Sequence, residues 1–271
     1  MNYGISLAIG WGVTLEEALE KIAAAGFREV ELPCAKLADG AYWDDPARWR
    51  RAIRGAGMTV RVAHSPDTGW NNGTSDEATR LASIEVAASS FAAAAEVGAG
   101  IIICHPNSSS QTFTPEDYDA CRARSVRSFE ALSRRAAKAG LKMAVENMPA
   151  RGLPRPGVRV AELLDMIATL GEGVGICLDA GHSNASGLNA ADEARVAGTK
   201  VLAVHLQDND GKGEDQHLIP GEGTTDWDAL IAALDAGSPR CVRTFEVGPE
   251  RFGIVETLRC LVPLRERWEK R

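Results

Sequence analysis

Eight short apolar runs, each followed by a segment with helical spacing, constrain this chain more than any other feature of it. The runs are YGISLAI (3–9), REVEL (28–32), MTVRVA (58–63), GIIIC (100–104), LKMAV (141–145), GICL (175–178), VLAV (201–204) and CVRTF (241–245). They are too short for helices and nearly continuous in apolar character, as strands buried on both faces are. Between them the helical readings are clearest in TLEEALEKIAAAG, with Thr14 to cap and Gly26 to stop, and in SDEATRLASIEVAASSFAAAAEVG, predicted as one helix from Ser75. DPARWRRAIRGAG, PEDYDACRARSVRSFEALSRRAAKAG, VRVAELLDMIATLG, DWDALIAALDAG and GIVETLRCLVPLRERW follow the same pattern, and NAADEARVAG gives a short sixth helix. Strict alternation demands a parallel sheet covered by helices. Eight units, with neither a G-x-G-x-x-G nor a Walker motif, favour a closed (β/α)8 TIM barrel over an open doubly wound sheet. A length of 271 residues suits a single domain over 1–271.

A formal charge of -7 argues against a general binder of phosphate backbones, which needs a basic face to release counterions, so nucleic acid is disfavoured as a partner. The N-terminus MNYGISLAIGWG lacks a basic leader region and no window is apolar enough to span a bilayer, so the expectation is a cytoplasmic protein without membrane contact. Cys34, Cys104, Cys121, Cys177, Cys241 and Cys260 form no C-x-x-C pair, and a disulfide framework is not expected.

In such a barrel the active site lies where strands end and βα loops begin. The polar residues that terminate successive runs are His64, His105, Glu146, Asp179, His205 and Glu246, separated by 41, 41, 33, 26 and 41 residues, one βα unit each time. All five histidines lie at or just beyond a strand end, the other two being His182 and His217, and none is predicted on a helix. Any one of these has an ordinary structural reading: Glu146 can cap a loop, and Asp179 can cap a turn before Gly181. Together the three carboxylates repel one another in a partly desolvated mouth, and interleaved imidazoles point to a bound cation rather than to shared protons. No cysteine is expected at these positions, which suits zinc or manganese, with cobalt or magnesium as further options. Asp208, Asp210 and Glu214 are expected to be solvated, while Glu31 at the second strand end can support a ligand.

AVENMP (144–149), GICLDAGHSN (175–184), VHLQDNDGKGEDQHLIPGEGTTDW (204–227) and TFEVG (244–248) resemble the strand-end motifs of the xylose isomerase-like TIM-barrel superfamily, which includes sugar and sugar-phosphate isomerases and epimerases and endonuclease IV. The resemblance implies a divalent metal held by Glu146, Asp179, His205 and Glu246, with Glu146 and Glu246 also acting as catalytic acid and base on a small sugar or sugar phosphate. Its endonuclease IV branch implies further ligands: His64 and His105 joining Glu146, and His182, Asp215 and His217 forming a third group, for one to three ions. Gly211 and Gly213 would let the loop after the seventh strand fold back, and Asp226 or a nearby Thr would cap the seventh helix. The chain departs from the ketose 3-epimerase pattern, which places an Arg shortly after the seventh-strand His, where this sequence has Asp208 to Lys212. Lys212, Arg151, Arg155, Trp11 and Trp70, all in βα loops, are substrate-contact candidates. The leading expectation is a metal-dependent sugar isomerase or epimerase. The alternatives are a metal-dependent phosphodiesterase acting on abasic DNA and a non-catalytic metal-binding barrel.

Overall fold

The structure, a computed structural model, describes residues 3–66, 71–107, 115–152, 154–249 and 251–271. Its eight strands are β1 Tyr3–Ser6, β2 Glu29–Leu32, β3 Thr59–His64, β4 Ile101–Cys104, β5 Lys142–Glu146, β6 Val174–Asp179, β7 Val201–Leu206 and β8 Val242–Phe245. They pair in parallel in sequence order and close through β1 with β8, which leaves no sheet edge exposed. The helices are α1 Leu15–Ala24, α2 Pro46–Gly55, α3 Glu77–Ser89, α4 Phe91–Val97, α5 Pro115–Lys138, α6 Val160–Ile167, α7 Ala180–Ala185, α8 Ala190–Ala197, α9 Trp227–Gly237 and α10 Gly253–Glu269. No described helix is long and apolar enough to cross a membrane.

Local chemistry sets the boundaries. Thr14 accepts a hydrogen bond from Glu17 N and caps α1, which buries Leu15, Ala18, Leu19 and Ile22, the spacing of one helical face. Each large aliphatic side chain buried in this way contributes about 1.5–3 kcal/mol. The first apolar run stops being strand at Ser6, whose hydroxyl accepts from Ala8 N and starts a 3-10 turn over Leu7–Gly10. The helix predicted from Ser75 begins instead after Asp76 and breaks at Ser90, where the Ser89 and Ser90 hydroxyls donate to Val86 O and Ala87 O. The sixth unit carries α7 as well as the short α8, and Asp226 caps α9 through Ala229 N.

The main core lies between the sheet and the helix ring. A second cluster of Val62, Ile103, Ala144, Cys177, Ala203 and Val242 fills the lumen. Two of its six side chains are alanine, and together the six form an apolar layer across the barrel interior.

Candidate metal centre and active site

Strand periodicity builds the site directly on that lumen plug. Side chains two residues apart point the same way, so one step beyond Val62, Ile103, Ala144, Cys177 and Ala203 come His64, His105, Glu146, Asp179 and His205. Glu246 follows one residue after β8, and Glu31 stands in β2 beside Ser6. A polar storey therefore rests on an apolar one.

Glu146, Asp179, His205 and Glu246 offer ligand atoms that all lie within 4.8 Å of one another. His205 Nδ1 is 3.1 Å from Glu146 Oε1 and 2.9 Å from Glu246 Oε2, while its Nε2 faces Glu31 Oε1 and Oε2 at 3.1 and 3.2 Å. Glu31 thus fixes the tautomer that leaves Nδ1 free to coordinate. Asp179 divides its labour: Oδ1 accepts from His182 N at 2.7 Å and Gln207 Nε2 at 3.1 Å, capping α7, while Oδ2 is buried with no hydrogen-bond partner. A bare carboxylate oxygen among nitrogen and oxygen donors is what a cation would satisfy, so these residues fit the divalent metal that the motifs imply.

His64, His105 and Glu146 form a second set: His64 Nε2 lies 3.1 Å from His105 Nε2 and 3.2 Å from Glu146 Oε2, and His105 Nε2 lies 3.1 Å from the same oxygen. Those spacings approach the edge of roughly 3.3 Å expected between tetrahedral ligands about 2.0 Å from zinc. In the third group His182 Nε2 and His217 Nε2 each approach Asp215 Oδ2, at 3.0 and 3.3 Å. His64, His182 and His217 donate from Nδ1 to the carbonyls of Ser65, Asn147 and Glu246, at 2.7, 2.7 and 2.9 Å, which directs each Nε2 lone pair inward. His182, predicted at a strand end, falls in the first turn of α7, because Asp179 starts that helix at once. His217 takes a positive φ of 47°, held by its ring bond and by Gly248 N donating to its carbonyl. No cysteine occupies the strand-end positions themselves, but Cys177, in the plug beneath them, brings its sulfur within 4.8 Å of ligand atoms of Glu146 and His205. Burial pushes its thiol well up, which keeps it neutral.

Charge in this mouth is finely opposed. Burial alone would lower the His64 pKa, but the hydrogen bond and charge of Glu146 prevail and raise it to about 9. Burial also works against His217, and the charge and hydrogen bond of Asp215 raise it to about 10. Both exceed the ordinary 6.5, so in the metal-free chain these imidazolium contacts add stability in full below pH 6.5 and lose it as pH rises through about 9 to 10. A divalent cation must displace those protons, so its affinity rises over the same window. The melting temperature of metal-free protein is therefore expected to fall between pH 6.5 and 9 while the increment from added zinc grows. A zinc increment that shrinks with pH would show that protonated imidazoles are not what the metal displaces.

The loop after β7 folds back as expected, with Gly211 and Gly213 at φ 72° and 102° and Asp208 paired to Leu218 through both backbone bonds. Asp208, expected in solvent, is instead buried, and its carboxylate accepts from the backbone N–H of Asn209, Gly221, Gly223 and Thr225 and from Trp227 Nε1. It is the internal clasp of the loop that presents Asp215 and His217. Gln207 was not singled out by the sequence reading, although period two carried one step beyond His205 reaches it. Its Nε2 joins Asp179 Oδ1 to Asp215 Oδ1, at 3.1 and 2.7 Å. Gly181 makes room for this bridge, because a Cβ there would lie 2.0 Å from Gln207 Oε1.

The substrate-contact candidates are dispersed. Arg151 and Lys212 line one cleft of about 640 Å³ with Gly152, Ser186 and Glu214, and Lys212 pairs with Asp210 at 3.5 Å. Arg155 turns inward and donates to Pro149 O at 3.0 Å. Trp11 is 69% exposed on the rim, beside Pro249 and Gly253, and Trp70 lies outside the described residues.

The sequence profile described as "Xylose isomerase-like TIM barrel" matches residues 19–264, nearly the whole barrel. The chain belongs to this family. Among members of the family and its relatives, it is 26% identical to a D-psicose 3-epimerase of Enterocloster bolteae, over 86% of this chain and 78% of that protein. It is 27% identical to a "Probable endonuclease 4" of Mycobacterium tuberculosis, over 73% and 77%. A 26% identical match to an uncharacterized protein of Sinorhizobium fredii covers 66% of this chain and 57% of that relative's length. The crystal structure of a D-tagatose 3-epimerase-like protein superposes with a TM-score of 0.83 at 21% identity, covering 100% and 99% of the two chains, and shows the shared fold.

Proposed function

We propose that this chain is a metal-dependent isomerase or epimerase of a small sugar or sugar derivative, working by proton transfer. The observation that carries the reading is the convergence of Glu146 and Glu246 on His205 Nδ1, at 3.1 and 2.9 Å, with Asp179 in the same cluster. Burial pushes Glu246 up, but the charge and hydrogen bond of His205 bring it down to about 2. Burial acts likewise on Glu146, and the histidines around it hold it well below the usual carboxylate range. Both are therefore ionised at neutral pH, the form a general base must have before it acts. On this reading one of the two carboxylates, from β5 and from just after β8, takes a proton from the carbon beside a carbonyl and the other returns one. Glu146, Asp179, His205 and Glu246 would hold a divalent cation, which when bound would supply Lewis acidity toward substrate oxygens and make that carbon-bound proton easier to remove. Glu31 keeps His205 oriented, and the lumen plug excludes water from below. The nitrogen and oxygen donors suit zinc or manganese. The epimerase relative supports a sugar as substrate.

The test is solvent exchange. Protein reconstituted with manganese or zinc and incubated in D2O should place deuterium beside the carbonyl of at least one member of a panel of ketoses and ketose phosphates, read by proton NMR. A metal-loaded protein that labels none of them removes this reading.

The two additional donor groups favour a second reading, phosphodiester hydrolysis, to which the endonuclease relative also lends support. Metal-dependent incision of abasic duplex DNA would promote it over the first. His217→Ala is expected to lower zinc stoichiometry by about one ion with the fold intact, because only Asp215 and His182 remain in that group. An unchanged metal count by elemental analysis removes the third group from either reading.

A further inference from the structure

The opposite end of the barrel holds a cavity of about 940 Å³, within the range of about 300–1,000 Å³ typical of small-molecule sites. It lies under the lumen plug, and its apolar lining includes Ile101 and Leu202, which pack against that plug. Three cations from separate parts of the chain surround it: Arg61 of β3, Lys142 at the start of β5 and Arg240 just before β8. This is an unusual gathering on a chain of net charge -7. Arg61 reaches Glu29 at 3.8 Å, and its Nη2 donates to Arg240 O at 3.5 Å. Among the described residues, Lys142 and Arg240 have no carboxylate in ion-pair contact. Gly98 and Gly100 leave the wall bare, since a Cβ at either would come no nearer than 4.0 Å to another group. Three cationic side chains around an apolar floor, with Glu29 paired to Arg61 as the one carboxylate among them, leave a net positive mouth that matches a ligand bringing its own negative charge.

We propose that this lower mouth binds a small organic anion with an apolar body and more than one negative charge. Its acidic groups meet Lys142, Arg240 and Arg61, and its body covers Ile101 and Leu202. The site is independent of the metal centre, from which the lumen plug separates it.

Benzene-1,3-disulfonate is the probe, being doubly charged, apolar between its charges and a poor metal ligand. Titrated calorimetrically into metal-loaded protein, it should bind saturably at one site per chain. Replacing both Lys142 and Arg240 with Ala should weaken it by about tenfold or more, the effect of removing charge-assisted hydrogen bonds. Both side chains are exposed, so the fold and the metal content should be unchanged, as circular dichroism and elemental analysis would show. Parallel titrations with isophthalate and phenyl phosphate identify the preferred acidic group. Arg61→Ala gives a second, independent variant with the same expected direction. Heat that does not saturate, or affinity unchanged in the charge-removed proteins, overturns the proposal.

Discussion

Glu246→Gln is expected to leave a folded barrel that still binds a cation but turns over substrate at about one-thousandth of the wild-type rate, the scale of loss when a positioned acid or base is removed. The substitution keeps shape and one coordinating oxygen but cannot take up a proton. Glu146, Asp179 and His205 remain to hold the ion. The measurement is single-turnover rate at saturating metal, with metal content determined on the same sample. A rate within tenfold of wild type would remove Glu246 from the proton-transfer pair, and retained turnover in Glu146→Gln would do the same for its counterpart. Glu246→Asp should recover part of the activity, because it restores a titratable group, whereas a purely structural role would be met equally well by Gln.

Asp208→Ala is expected to have the largest effect on stability of any loop substitution. Five donors converge on this one buried carboxylate, four from the backbone and one from the Trp227 indole. Leaving several of them unpaired in the interior costs about 3 kcal/mol or more. The loss should concentrate in residues 208–227, so that binding at Asp215 and His217 weakens before the barrel melts. Hydrogen exchange of the Gly221, Gly223 and Thr225 amides, followed with metal stoichiometry, reads this directly. Protection unchanged from wild type would show that the loop is held by something other than this clasp.

Much of the architecture was legible because two periodicities did the encoding. Apolar runs ending in a polar residue gave the strands and, at each end, the side chain that rises into the mouth: His64, Glu146, Asp179 and His205 all occupy the last two residues of their strands. What escaped is what depends on partners distant in sequence. Asp208 looks like any other member of an acidic loop until Gly221, Gly223 and Trp227 are brought around it. Cys177 reads as a strand hydrophobe, and only barrel closure places it beneath Glu146 and His205. The break at Ser90 turns on hydroxyls that compete for helix carbonyls, which helical spacing does not record. Nothing in the sequence marks Lys142 or Arg240, because their gathering around one cavity is a property of the closed cylinder.

The plug made by Val62, Ile103, Ala144, Cys177, Ala203 and Val242 also determines how the two ends can communicate. Five of its six side chains are aliphatic and the sixth is the neutral thiol of Cys177, so it offers no chain of polar atoms along which a proton could step from one storey to the other. Any influence of a guest beneath on events above must travel as displacement of the staves themselves, and a hydrogen lifted from a substrate can leave only by the doorway through which that substrate came.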